Sequence, residues 1–206
     1  MLTSRACAAA VTAVLLAAGT AATALPAHAA GPSGRLAALS RFDDGSFETP
    51  KVAANTFQEL VAGQTIGPWQ VTSGSVDLIG AGFWQAAEGD QSVDLNGSAP
   101  GSVSQAFTTV PGAAYTVTYS LAGNPDAAPA VKTGQALVDG QDFQDFTFNT
   151  AGRNRAAMGY VTRQFTFVAT SAATTLAFAS TTPNSAAGPV VDNVQVQRCA
   201  PCPSCN

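Results

Sequence analysis

Histidine is almost missing from this chain: one occurs, His28. It sits in Ala27-His28-Ala29, a small-x-small pattern of the kind signal peptidase reads. A positive Arg5 and a run of small and apolar residues from Ala8 to Ala22 precede it. Residues 1–30 therefore read as a secretory signal peptide, cleaved after Ala29 or Ala30. The run is too short and too Ala-rich to span a bilayer stably, and no stop-transfer segment follows, so membrane insertion is not expected. No cysteine follows the cleavage site directly, so a lipid anchor is not expected either. His28 leaves with the leader, and the mature chain then holds no imidazole. That excludes Ser-His-Asp and Cys-His catalysis, His-ligated zinc and imidazole acid–base chemistry.

Positive charge is scarce as well. Nine Lys and Arg lose Arg5 to the leader, which leaves eight against thirteen Asp and Glu, a net charge of −5. Only Lys51 and Lys132 are lysines, and no basic cluster forms. This balance argues against nucleic acid and against anionic membrane surfaces as partners. About 176 residues remain after cleavage, enough for one domain with a real core and short of two.

The rest is strand-like text broken by turn residues. Residues 31–41 read as a Gly/Pro/Ser/Ala linker, 42–198 as one domain and 199–206 as a Cys-rich tail. Expected strands are Trp69–Thr72, Ser75–Ile79, Gln91–Leu95, Ser102–Thr108, Tyr115–Leu121, Gln135–Val138, Phe143–Phe148, Tyr160–Ala169, Thr174–Ala179 and Val190–Gln197. Tyr115, Val117, Tyr119 and Leu121 alternate with Thr116, Thr118 and Ser120, the period of a half-buried antiparallel strand. Asn96-Gly97, Pro111-Gly112, Asp139-Gly140 and Gly188-Pro189 supply turns between them. One short helix is expected at Thr56–Val61 with Asn55 as its N-cap. Many short strands with frequent turns predict an all-β fold, an antiparallel sandwich or barrel.

Four segments in order carry a resemblance. They are Asp44-Gly45-Ser46-Phe47-Glu48-Thr49-Pro50, Trp69 to Leu78, Gln91-Ser92-Val93-Asp94-Leu95-Asn96-Gly97, and Gly188-Pro189-Val190-Val191-Asp192-Asn193-Val194. Together they resemble the secreted choice-of-anchor C family of bacteria, itself similar to the plant cell-wall proteins grouped as domain of unknown function 642. The resemblance spans roughly Phe42 to Val196. It implies a two-sheet antiparallel jelly-roll sandwich of the galactose-binding-like kind, an extracellular place, association with cell-wall polysaccharide and no catalysis. Two departures stand out. Asp44 replaces the Asn that usually opens the first motif, and the chain ends in Cys199-Ala-Pro-Cys202-Pro-Ser-Cys205-Asn instead of a C-terminal anchor.

Three constellations could carry function. Asp44 and Glu48, with Asp43 beside them, and Asp192 in the closing segment could hold a structural Ca²⁺, a hard cation that takes six to eight oxygens. The alternative is that Asp192 accepts backbone N–H bonds at the sheet's end. Trp84, in the Gly-bounded loop Gly82-Phe83-Trp84-Gln85, could stack on a sugar ring, with Gln85, Asp94 and Asn96 as hydroxyl partners. Its alternative is a packing role. Asn124 and Asp126 could line a ligand groove or simply make a turn. Trp69, Tyr115 and Tyr119 are expected in the core.

A glycosidase would need two carboxylates, and Asp77, Glu88, Asp90 and Asp94 are the supply. Cys199, Cys202 and Cys205 suggest one local disulfide plus a spare thiol, which could link two chains. The expectation is a secreted, non-catalytic carbohydrate-binding module. The alternatives are an adhesive surface protein that binds other proteins and, behind it, a polysaccharide hydrolase.

Overall fold

Along residues 114–123, every second side chain from Tyr115 to Leu121 is buried, and the Thr side chains between them are part-exposed. That alternation repeats down the chain and sets its architecture. The computed structural model describes residues 41–199. The leader, all of the linker but Arg41, and Cys202 and Cys205 lie outside the described residues.

In chain order the strands are β1 Phe57–Val61, β2 Thr65–Ile66, β3 Trp69–Ser73, β4 Ser75–Ile79, β5 Ser92–Asp94 and β6 Ser102–Thr108. There follow β7 Ala114–Gly123, β8 Val131–Val138, β9 Gln141–Asn149, β10 Val161–Val168, β11 Ala173–Ser180 and β12 Pro189–Arg198. They form two six-stranded sheets, ordered β1-β4-β5-β12-β7-β10 and β2-β3-β6-β11-β8-β9, with every described pairing antiparallel. From β5 onward the chain crosses repeatedly between the sheets, as in a jelly roll.

All ten strands read from the sequence are present, with ends shifted by a few residues. The helix expected at Thr56–Val61 is not: among the described residues no helix occurs, and this stretch is edge strand β1. Asn55 has φ 59°, in the left-handed region rather than the extended conformation of an N-cap. Phe57 to Val61 then pair with Ile79 to Ser75. Five ladder pairings outweigh a weak helix propensity.

Register shows which side chains face the interior. Leu78, Val93, Val191 and Leu121 are successive cross-strand partners in the first sheet. Tyr119 shares their side and meets the second sheet, its ring 4.9 Å from Phe178 and 5.9 Å from Phe146. This is the sandwich core, and Trp69, Phe107, Tyr115 and Phe167 lie buried in it too. Emptying one such aromatic to Ala costs about 3–5 kcal/mol.

The opposite parity marks the outer face of the first sheet. Phe57 pairs with Ile79, Glu59 with Asp77, Asp77 with Asp94, and Asp94 with Val190. Asp94 and Val190 are nonetheless completely buried, so loops roof part of this face. A bulge between Asp192 and Gln195, with Asn193 at φ 48°, shifts the parity of β12. Asp192 therefore faces outward with Val190, whereas Val196 pairs with core-facing Val117. Simple alternation would have put Asp192 on the same face as Val196.

The opening segment joins this frame. Val194 donates its N–H to the Gly45 carbonyl at 2.8 Å. A Cβ on Gly45 would stand 1.8 Å from the Val194 carbonyl oxygen, so only glycine allows the approach.

Candidate functional site

The outer face carries a row of three carboxylates on adjacent strands: Glu59 on β1, Asp77 on β4 and Asp94 on β5. Their environments differ. Asp94 is sealed and accepts from the Asn96 N–H at 2.9 Å, the Gly188 N–H at 2.9 Å and Asn124 Nδ2 at 2.7 Å. Burial nonetheless pushes its carboxyl up to about 7. Glu59 is exposed and accepts from the Ser98 N–H at 2.7 Å, and its bonds to Ser98 hold it below the usual glutamate range. Asp77 stands between them with Oδ1 buried and without a hydrogen-bond partner. Burial, and then the charge of Glu59, push Asp77 up to about 7.

Beside this row runs an aromatic ledge. Phe57 and Phe83 meet edge to face at 5.5 Å, and Phe83 meets Trp84 in the same way at 5.5 Å. Phe57 is 48% exposed, whereas Trp84 is 5% exposed. Trp84 donates from Nε1 to Ser92 Oγ at 2.8 Å, which locks its indole against the outer face. Arg155 lies over Phe83, 4.1 Å from the ring centroid, a favourable cation–aromatic contact. Its Nε and Nη2 reach Asp126 Oδ2 at 2.9 and 2.7 Å, and Nε also reaches Oδ1 at 3.1 Å.

Ledge and carboxylates enclose an open groove of about 270 Å³. Asp77, Ile79 and Trp84 line it, with Phe57 and Glu59 from the edge strand and Asn124, Asp126 and Arg155 from the loops.

Loops hold the groove in place from behind. Lys132, fully buried, donates from Nζ to the carbonyls of Ala127 and Ala187, both at 2.8 Å. It thereby ties the loop after β7 to the loop before β12. Asn96 donates to the carbonyls of Thr182 and Ser185 at 3.2 and 2.8 Å.

Of the six residues offered to a sugar, the structure places three at the groove: Trp84, Asn124 and Asp126. Asp94 and Asn96 are fully buried behind it and bind loop backbone. They do lie on the outer face, as alternation requires, but the roof of loops keeps that face dry here. Gln85 lines a neighbouring recess with Arg155, and its Oε1 accepts from the Met158 N–H at 3.2 Å. The hydrolase supply is divided. Asp77 is at the groove, Asp94 is sealed, and Glu88 and Asp90 lie in the loop before β5. Sequence reading assigned no role to Phe57, Glu59 or Arg155; the helix expectation hid the first two.

The three carboxylates offered to calcium are turned to backbone. Asp44 accepts from the N–H groups of Glu48 and Thr49 at 2.8 and 3.2 Å. Glu48 accepts from those of Asp90 and Gln91 at 2.7 and 2.8 Å. Asp192 accepts from those of Ala87, Glu88 and Asn193 at 2.7, 3.1 and 2.6 Å. Among the described residues no group of three or more His, Cys, Asp or Glu converges as a metal ion needs. Asp44, Glu48 and Asp192 as arranged do not fit a shared Ca²⁺. The thiol of Cys199 lies 3.4 Å from Thr116 Oγ1.

Halomucin of Haloquadratum walsbyi is 33% identical over 159 residues, 74% of this chain and 2% of halomucin. This chain thus spans about one fiftieth of halomucin's length. Among solved structures, a family 35 carbohydrate binding module from Clostridium thermocellum is 11% identical with a TM-score of 0.47 over 68% of this chain and 97% of its own. The CBM22-1 xylan-binding domain of Paenibacillus barcinonensis Xyn10C is 14% identical, with a TM-score of 0.46 over 71% and 97% of the two chains. The family model described as "Protein of unknown function (DUF642)" matches residues 40–197, and the chain belongs to that family.

Proposed function

We propose that this protein is a secreted, non-catalytic carbohydrate-binding sandwich that holds a saccharide in the groove beside Asp77. One observation carries the reading: Asp77 lines an open groove beside the exposed ring of Phe57, and one of its carboxylate oxygens, Oδ1, is buried without a partner. A buried acceptor left unpaired costs about 1–3 kcal/mol. A sugar hydroxyl bonded to the groove side of this carboxylate would offset part of that cost while the C–H face of the ring covers Phe57 and Ile79. Asn124 and Ser98 offer further polar contacts along the groove. Such a site, mostly apolar with a few convergent polar groups, suits a small ligand.

Binding without chemistry is the better reading. Glu59 and Asp77 are direct cross-strand partners, so both approach a ligand from the same wall of the groove instead of from opposite sides of it. Hydrolysis needs two carboxyls flanking the scissile bond. Export rests on the leader sequence, and a place at the cell wall on the resemblance to the choice-of-anchor C family.

Retention on a panel of insoluble polysaccharides tests the reading. Phe57→Ala should weaken retention at least tenfold (about 1.4 kcal/mol) in a variant that stays folded and loses only the stability of the Phe83 ring contact. Trp84→Ala is the wrong probe, because that indole is buried and bonded to Ser92. No retention on any polysaccharide would sink the proposal.

A further inference from the structure

The charge around the groove says which saccharides it can take. Glu59, Asp77 and Asp126 line it against a single cation, Arg155. That cation is already spent: its nitrogens are on Asp126 and its face is on Phe83. Of the lysines, Lys51 is paired with Glu48 and Asp90, and Lys132 is buried against the Ala127 and Ala187 carbonyls. Neither lysine lines the groove. Glu59 and Asp77 are therefore left without a balancing positive charge, and Asp94 lies behind Asp77 on the next strand.

We propose that this groove selects saccharides bearing a free amino group and rejects uronic acids and sulfated sugars; the proposal rests on the saccharide-binding reading above. An ammonium on a sugar ring brings three donors. One can bond to the Asp77 carboxylate where it lines the groove, and the charge offsets the repulsion between Asp77 and Glu59. The exposed Phe57 ring favours a cation beside it as well. A uronate would bring another carboxylate against this pair with no free guanidinium or ammonium to receive it. Like charges at such range disfavour each other strongly when partly desolvated. Burial is the larger cause of the raised Asp77 carboxyl and the charge of Glu59 the smaller; a bound ammonium would act against both and draw the proton off Asp77.

Isothermal titration of the purified chain tests this with three oligosaccharides of equal length: glucosamine, N-acetylglucosamine and galacturonate. N-acetylation removes the charge and keeps the ring. At neutral pH and low salt the glucosamine oligomer should bind at least tenfold tighter than its acetylated form, about 1.4 kcal/mol, and added salt should shrink the gap. The galacturonate oligomer should give no heat. Asp77→Asn should bring the affinities of the amine and acetylated oligomers within about twofold, and Glu59→Gln, on the exposed edge strand, provides a second variant should the first fold poorly. Equal affinity for the amine and acetylated forms, or tightest binding of galacturonate, would overturn the charge inference and leave the saccharide site standing. No binding of any of the three, together with no retention on the polysaccharide panel, would overturn both.

Discussion

Asp192 and Glu48 hold opposite ends of the same short loop: Asp192 accepts the N–H groups of Ala87 and Glu88, and Glu48 those of Asp90 and Gln91. Two carboxylates distant in sequence thus do by hydrogen bonding what a shared cation would otherwise do. Asp192→Ala leaves three backbone donors without their acceptor, at an expected cost of about 2–4 kcal/mol. Glu48→Gln should cost less, because its side chain is 25% exposed. Hydrogen exchange should speed up at residues 87–91 in both variants before it does in the core. A chelator should leave the melting temperature of the wild type unchanged; a clear drop would restore calcium to the opening segment.

Asp77 gives a pH dependence of known sign. Burial pushes its folded-state pKa up to about 7, above the 3.8 of an ordinary aspartate. The folded protein therefore holds this proton more tightly than the unfolded chain. The contribution of this one group to stability is fully present below about pH 4 and is lost as pH rises through about 7. Asp77→Asn removes this contribution. The variant should match the wild type at about pH 4 and gain about 1–2 kcal/mol at about pH 8, a figure discounted for solvent screening. Thermal melts across that range check it, and a variant less stable at high pH would contradict it. A residue that costs stability at neutral pH is what a functional site is expected to keep.

Lys132 is a fully buried cation whose Nζ bonds fall on carbonyls. Lys132→Met keeps much of the bulk and unpairs the carbonyls of Ala127 and Ala187. The expected loss is about 2–4 kcal/mol in urea unfolding. Both loops that it ties border the groove, so ligand affinity should fall even where the variant remains folded.

Asp126 and Arg155 are the reverse case, an exposed pair at 2.7 Å with side chains 37% and 51% exposed. Asp126→Asn should change stability by less than about 1 kcal/mol. It frees a guanidinium at the groove's edge, so binding of acidic oligosaccharides should rise relative to the wild type. No gain would mean that Arg155 stays tied to Phe83.

Much of the fold was legible because its strands alternate. Tyr115 to Leu121 and Leu176 to Phe178 declare their buried face by parity alone, and the core aromatics followed. Parity misled where the chain departs from regular pairing. The bulge after Asp192 turned that side chain outward, and β1 passed for a helix because an edge strand of five residues has few neighbours to declare it. The groove was only half legible. Trp84, Asn124 and Asp126 were singled out by loop chemistry, but Phe57 and Glu59 reach the site through their pairing with Ile79 and Asp77, a register fixed by tertiary structure. Asp94 and Asn96 lie on the face that alternation gave them, yet a roof of distant loops, pinned by Lys132, took that face out of water.

The last strand of the described domain, β12, lies in the interior of its sheet, flanked by β5 and β7, and also receives the opening segment through Gly45. Neither half of the first sheet can therefore close until the end of the domain has been made. Without β12, the β1-β4-β5 and β7-β10 portions of the first sheet have no strand between them. Removing the final ten residues of the sandwich should leave two unjoined fragments of sheet rather than a slightly smaller domain.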